Sequence, residues 1–109
     1  MPTTYKVLGQ SSPSATTLTS LYTVPASTST VVSTITIANL GNASATFRVA
    51  VRPAGEAIAN KHYIAFDTTI ATLDTLTLTL GVTLAATDVI SVYASTATVA
   101  FAAYGSEIS

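Results

Sequence analysis

The feature that most constrains the fold of this chain is a two-residue alternation of apolar and polar side chains, rich in β-branched residues. It is clearest in Thr46–Arg52 and in Asp74–Leu80. Successive side chains of a strand point to opposite faces of a sheet, so each segment is predicted to bury one face and expose the other. The predicted buried residues are Phe47, Val49, Val51, Leu76, Leu78 and Leu80, and the predicted outward residues are Arg48, Ala50, Arg52, Thr75, Thr77 and Thr79.

Further segments have strand character and are bounded by Gly, Pro, Asn and Ser clusters. Helix is hard to place, because Gly55–Asn60 is long enough for one turn at most. The pattern therefore predicts an all-β protein, an antiparallel β-sandwich (jelly-roll or Ig-like) of about seven or eight short strands, with a small barrel as the alternative. The additional predicted strands are Tyr5–Leu8, Thr16–Val24, Val31–Ala38, Lys61–Asp67, Val89–Ala94 and Thr98–Tyr104.

Two short connections are rich in turn-forming residues. Asn39–Asn42 follows Val31–Ala38, and Ser95–Ala97 separates the last two predicted strands. Connections of this length and composition favour β-hairpins, so each pair of flanking strands is predicted to be antiparallel neighbours.

The length of 109 residues corresponds to one domain, and residues 1–109 are predicted to form a single β-sandwich. Ser11–Ser14 follows Gly9 as a flexible break, so residues 1–14 are a candidate N-terminal arm that docks on a neighbouring chain. The chain has no cysteine. Disulfides and thiolate metal ligands are therefore excluded.

Charged residues make up only 8% of the chain, against about 25% in an ordinary soluble domain. The formal net charge is −1, and a value near zero promotes association. We therefore expect a protomer of an assembly, and the alternative is a monomer hydrated by its many hydroxyls. The start of the chain resembles no secretory signal, and no apolar run approaches a membrane span, so we expect synthesis in a cytoplasm and no membrane partner.

Catalytic chemistry has few candidate residues. His62 is the only histidine, and the chain lacks a nucleophile elbow and paired carboxylates at suggestive spacing. We expect no enzyme activity, no cofactor and no small-molecule substrate, with His62 an exposed or interfacial strand residue. Asp67, Asp74 and Asp88 are each predicted at a strand end, where aspartate forms turns, so no metal site is predicted.

Four residues are candidates for a subunit interface: Arg48, Arg52, Lys61 and His62. The two arginines share the outward face of one strand and could pair with acidic groups of a neighbour. The alternative is a pair of solvated arginines that discourage edge-to-edge pairing. A slightly acidic chain lacks the broad basic surface that nucleic acid requires, so no nucleic-acid partner is expected.

Threonines alternate with apolar residues in several predicted strands, at Thr17 and Thr19, Thr34 and Thr36, and Thr75–Thr79. A regular threonine plane would be typical of an ice-binding protein. These threonines are predicted to lie in separate strands at unequal intervals, and ordinary β propensity explains them.

Five stretches of the chain carry a resemblance to a known class of protein: Leu21–Ala26, Arg48–Gly55, Lys61–Ala65, Leu80–Asp88 and Tyr104–Glu107. They resemble small virion structural proteins of tailed bacteriophages, and the likeness spans nearly the whole chain. The resemblance implies a many-copy virion protein, most specifically a capsid cement or decoration protein that packs on the major capsid protein at the outer surface of the capsid. It also implies a homotrimer, the form common in that role.

Two alternative roles accompany this interpretation. One is a tail, neck or baseplate component of the same structural class. The other is a receptor-binding or adhesin module on the tail that contacts a host glycan through tyrosines, whose alternative role is packing at the edge of the sandwich. The candidate tyrosines are Tyr22, Tyr63, Tyr93 and Tyr104.

Overall fold

A computed structural model describes residues 3–109, and nearly all regular structure in them is β-strand, which confirms the predicted all-β sandwich. Two single 3₁₀ turns, Pro53–Gly55 and Asn60–His62, interrupt the strands. Among these residues no helix is long and apolar enough to cross a membrane. The strands are β1 Thr3–Ser11, β2 Thr19–Thr23, β3 Ser29–Asn39, β4 Ala45–Arg52, β5 Tyr63–Ile70, β6 Thr75–Leu84, β7 Val89–Ala94 and β8 Val99–Ile108.

The strands form two four-stranded antiparallel sheets. Sheet I has the order β1-β8-β3-β6, and sheet II has the order β2-β7-β4-β5. The pairs are nested: β1 with β8, β2 with β7, β3 with β6 and β4 with β5. Such nesting of eight strands in two sheets is the jelly-roll arrangement, and it differs from the strand order of an immunoglobulin sandwich.

The chain changes sheets at every connection except the one between β4 and β5. Both predicted hairpins are therefore wrong. β3 leads into β4 and β7 leads into β8, but each of these connections crosses to the opposite sheet. Turn-forming residues show where a chain reverses, whereas hydrogen bonds with distant strands decide which sheet receives the next strand.

Asn39, at the end of β3, explains how one crossing is built. Its side chain is buried, and its amide donates hydrogen bonds to the carbonyl oxygens of Ala43 and Ala71. Its side-chain oxygen accepts from the Gly41 amide and the Thr98 hydroxyl. One buried amide thus joins the β3–β4, β5–β6 and β7–β8 connections at the same end of the sandwich.

The core lies between the two sheets and is almost entirely apolar. At its centre the rings of Phe47 and Phe101 meet edge to face, with centroids 6.2 Å apart. Each fully buried aliphatic or aromatic side chain contributes about 1.5–3 kcal/mol relative to exposure. The largest fully buried side chains are Phe47, Phe101, Ile35, Ile37, Ile70, Leu84, Ile90, Val24, Val32, Val49, Val92 and Val99.

The predicted alternation holds along β6, where Leu76 and Leu78 pack against the core and Thr75, Thr77 and Thr79 are exposed. Leu80 was also predicted to point inward, but its side chain lies outside the part of the chain that the structure describes. The threonines lie in separate strands, as predicted, but in two of these strands they are in register. Thr34 pairs with Thr79 and Thr36 with Thr77, because β3 and β6 are direct neighbours in sheet I.

The segment predicted as an arm is an edge strand of the chain's own sheet over most of its length. β1 pairs antiparallel with β8, from Thr3 opposite Ile108 to Ser11 opposite Phe101. Docking of this segment on a neighbouring chain stays a prediction, and residues 1 and 2 lie outside the described part.

Candidate functional site

The best-defined cluster of polar and aromatic side chains is built by an irregularity in edge strand β5. Phe47 of β4 pairs with Thr68, and Val49 pairs with Ala65. Arg48 therefore faces two residues of β5, Phe66 and Asp67, and the extra residue is a β-bulge. Asp67 has a φ of 49°, a left-handed conformation that carries strain in a residue other than glycine. The bulge brings both side chains to Arg48.

Arg48 is the centre of this cluster. Its Nε and Nη2 atoms donate to the two carboxylate oxygens of Asp67 at 2.6 and 3.2 Å. The guanidinium carbon lies 4.2 Å from the ring centroid of Phe66 and 4.3 Å from that of Tyr93. Planar guanidinium groups suit both bidentate pairing and ring stacking.

The ion pair changes the protonation behaviour of both partners. The hydrogen bond from Arg48 holds the pKa of the Asp67 carboxyl below its usual range, and the bond with Asp67 raises the pKa of Arg48. Both groups thus remain charged and mutually neutralised across the neutral pH range. The prediction that Arg48 pairs with an acidic group of a neighbouring subunit remains untested, but its own chain already supplies one.

The aromatic side of the cluster extends to Tyr63 and a shallow pocket. The rings of Tyr63 and Phe66 lie at 80° to each other, with centroids 4.8 Å apart. Asn60, Tyr63 and Phe66 line a pocket of about 390 Å³. Phe66 remains 53% exposed although Arg48 lies over its ring. This corner combines open ring surface with an amide group.

Arg52, the second predicted interface arginine, holds the β4–β5 connection in place. It donates to the carbonyl oxygens of Glu56 and Gly55 and to the Ser91 hydroxyl. The 3₁₀ turns of this connection pack against β4 and β7. Ala50, predicted to face water, is fully buried as a result. The prediction was wrong there because a strand's own pattern does not show that a later loop will cover it.

The prediction that His62 is an exposed or interfacial strand residue is wrong in its position and burial. His62 lies in a 3₁₀ turn rather than in a strand, and it is buried, with 4% of its surface exposed. Its Nδ1 accepts the Ala59 amide, and its Nε2 lies 3.3 Å from Glu56 Oε1. Lys61 is exposed and pairs with the same carboxylate at 3.6 Å. A contact of His62 or Lys61 with a neighbouring subunit stays a prediction.

The four tyrosines suggested for glycan contact separate into different environments. Tyr63 and Tyr93 belong to the arginine cluster, whereas Tyr104 lines a groove on sheet I with Tyr5 and Val7. Tyr22 is buried, and its hydroxyl lies 2.8 Å from that of Thr30 and 2.5 Å from Glu107 Oε2. A buried hydroxyl with two internal partners leaves Tyr22 unsuited to glycan contact.

The roles of Phe66 and Asp67 were missed by reasoning from the sequence pattern. Asp67 was predicted at a strand end, but β5 continues to Ile70 and the residue lies inside the strand. A β-bulge depends on register between distant strands, so a single strand's pattern carries little signal for it. The Phe-Asp pair directly after an alternating run is the one local sign, and it is weak.

The remaining aspartates act as turn formers, as predicted. Asp74 accepts the Thr75 amide, and Asp88 accepts the amides of Ala54 and Ala85. Within residues 3–109, no three His, Asp or Glu side chains gather into a metal-ligating group.

Three comparisons with known proteins identify no relative of this chain. A scan against protein-family models, a search of curated proteins and a search of solved structures each find no match to this chain.

Proposed function

We propose that this chain is a non-enzymatic structural protein of a tailed-phage virion, most specifically a cement protein that stabilises the capsid by packing on the major capsid protein. The resemblance of its sequence to such proteins motivates the proposal. A jelly roll alone does not support it, because one fold serves many functions. The support for the proposal comes from the side chains that the protein exposes at its surface.

The observation that carries the proposal is the contrast between charged and apolar side chains at the surface. All nine charged residues make hydrogen bonds or ion pairs within the chain, so each charged side chain already has a partner in its own chain. Large apolar side chains are exposed instead, and such surface favours contact with another protein. These exposed residues are Tyr5, Val7, Leu40, Ile58, Ile64, Phe66 and Leu73.

Two of these residues lie at the same end of the sandwich. Leu40 is 68% exposed in the β3–β4 connection, and Leu73 is 69% exposed in the β5–β6 connection. Asn39 hydrogen-bonds to both connections. Leu73 also has a left-handed backbone, with a φ of 54°. Strained backbone clusters at functional sites, so a strained residue with an exposed apolar side chain motivates a functional hypothesis. We name Leu40 and Leu73 the leucine end and propose that it contacts the capsid.

The test combines solution mass by light scattering with co-sedimentation on the matching capsids. We expect an oligomer, a trimer being the favoured form, that pellets with capsids. Apolar contacts resist salt, whereas surface ion pairs are screened by it, so binding should persist at raised ionic strength. A monomer that stays in the supernatant would contradict the cement role.

Variants locate the contact. The double substitution Leu40→Ser and Leu73→Ser should abolish pelleting while leaving the fold intact, because both side chains are exposed. A matched control replaces Ile64, an exposed residue of β5, with Ser and should pellet normally. Normal pelleting of the double variant would remove the leucine end from the proposal. A tail, neck or baseplate protein would instead bind isolated tail structures.

A further inference from the structure

The corner formed by Phe66, Tyr63 and Asn60 has the features of a small ligand site. Its volume of about 390 Å³ lies at the lower end of the range for small-molecule pockets. Its two rings stand nearly perpendicular and offer apolar surface. The amide of Asn60 supplies both a donor and an acceptor beside them. The ligand must therefore combine a compact apolar face with hydrogen-bonding groups at its edge.

The charges around the pocket restrict the ligand further. Asp67 neutralises Arg48, and Glu56 pairs with Lys61 and lies near His62. Among the described residues, each cationic side chain adjacent to the pocket is paired with a carboxylate of the same chain. An anionic ligand would have to compete with these carboxylates, so a neutral ligand is favoured.

We propose that this corner binds a neutral carbohydrate, with a pyranose ring packed on the Phe66 side chain. A pyranose presents an axial C–H face, which packs on aromatic rings, and a rim of hydroxyls, which hydrogen-bond to amides. Tyr63 forms the wall of the site, and Asn60 orients the hydroxyls. The proposal is independent of the cement role, since a decoration or tail protein can carry a sugar site on an outward face.

The Arg48 cluster is the support of this site. The bulge at Phe66 and Asp67 turns the Phe66 ring toward Arg48, and the ion pair fixes the guanidinium beneath it. Tyr93 stacks on the same guanidinium from β7. A ring held in this way loses little conformational freedom when a sugar binds, and preorganisation of this kind favours affinity.

The first experiment applies the whole chain to an array of immobilised neutral and anionic oligosaccharides. We expect binding to a subset of neutral glycans that the matching free sugar competes away. Phe66→Ala and Asn60→Ala should each weaken binding by about tenfold or more. Phe66→Trp should retain it, because the larger ring still stacks on Arg48.

The matched control is Tyr5→Ala, which removes an aromatic ring that is 84% exposed on the other sheet. Its binding should equal that of the unmodified chain, and thermal unfolding should show that each variant is folded. The proposal is overturned by an array without bound glycans, by binding confined to anionic glycans, or by binding that Phe66→Ala leaves unchanged. Dependence on Tyr5 would place the contact elsewhere and overturn it too.

Discussion

At the scale of single residues, the hydroxyl of Tyr22 is the most consequential polar group in the interior. Tyr22 lies on β2 in sheet II, whereas its partners Thr30 and Glu107 lie on β3 and β8 in sheet I. Burial and the bond to Glu107 raise the pKa of Tyr22 to about 12, so the hydroxyl keeps its proton. The same bond, with help from Lys6, holds the pKa of Glu107 below its usual range. A single donor thus ties the two sheets together.

The lowered pKa of Glu107 predicts a loss of stability in acid. The unfolded chain takes up this proton at the ordinary glutamate pKa, whereas the folded chain resists it until lower pH. The stabilisation is therefore complete above about pH 5 and disappears as the pH falls through the folded value. Urea unfolding across this range measures it. In Tyr22→Phe the free energy of unfolding should fall less steeply in acid than in the unmodified chain.

Tyr22→Phe should also cost about 1–3 kcal/mol at neutral pH, because the buried Thr30 hydroxyl loses its partner. Tyr5→Phe is the control, since the exposed ring of Tyr5 should tolerate the change with no measurable loss. An equal acid slope in the Tyr22→Phe variant and the unmodified chain would show that the Tyr22 bond does not set the pKa of Glu107.

Residue-level predictions from sequence succeeded where a side chain's direction follows from its own strand. Phe47 and Val49 are buried and Arg48 faces outward, as the alternation predicted. They failed where another segment decides the surroundings. Ala50 is covered by the β4–β5 connection, and His62 is buried within that connection rather than placed in a strand, and no local pattern reveals either outcome.

At the scale of elements, the approach of β3 to β8 depends on a glycine. A Cβ atom added at Gly105 would overlap the Val31 carbonyl oxygen and lie 3.0 Å from the Val32 Cα. Those atoms belong to the backbone of the neighbouring strand, so they cannot turn aside as a side chain would. The irregularity in pairing between Val32 and Thr34 lies beside this contact.

Gly105→Ala should therefore destabilise the protein by about 1–3 kcal/mol or more, because the strands must separate locally. Gly81→Ala in β6 is the matched control, since a Cβ atom at Gly81 meets nothing within 4 Å. Its effect should stay within about 0.5 kcal/mol. Chemical denaturation of both variants makes the comparison, and similar losses would show that the close approach at Gly105 does not limit stability.

The strands themselves were predictable because alternation is a local property, and each predicted strand overlaps an observed one. Their partners were not. β3 ends at Asn39 in a run of turn residues that suits a hairpin, yet its neighbours are β6 and β8. The crossing is held by hydrogen bonds of Asn39 with Ala71 and Thr98, which are far away in the sequence, so the local run of turn residues does not reveal it.

At the scale of the whole molecule, the nested pairing determines how many residues each pair of strands encloses. The β1–β8 pair encloses the longest stretch of chain, and the β4–β5 pair encloses the shortest. Loop-closure entropy grows with the number of residues enclosed, and folds dominated by distant contacts form slowly. The outermost pair should therefore be the last to form.

Engineered disulfides test this order, because the chain has no cysteine to interfere. Tyr5 faces Ser106 across β1 and β8, and Thr46 faces Thr69 across β4 and β5. Paired residues of antiparallel strands have Cα separations that suit a disulfide. The Tyr5→Cys/Ser106→Cys bridge encloses ~100 residues and should stabilise by up to about 4.7 kcal/mol.

The Thr46→Cys/Thr69→Cys bridge should stabilise by about 1 kcal/mol less, since its loop is shorter. Each reduced protein is the control for its oxidised form, in both urea unfolding and refolding kinetics. The outer bridge should also accelerate refolding more than the inner one. Equal acceleration by the two bridges would show that closure of the outer pair does not limit folding.

The pairing of β1 with β8 also has a consequence during synthesis. A ribosome adds roughly 5–20 residues per second, so β1 emerges about 5–20 s before the strand that it pairs with. For that interval β1 has open hydrogen-bonding edges and few charges to repel other nascent chains. Chains on neighbouring ribosomes of one messenger would meet in this state. We therefore expect the yield of folded protein to fall when nascent chains are closely spaced and to rise when the exposed edges of β1 are shielded until release.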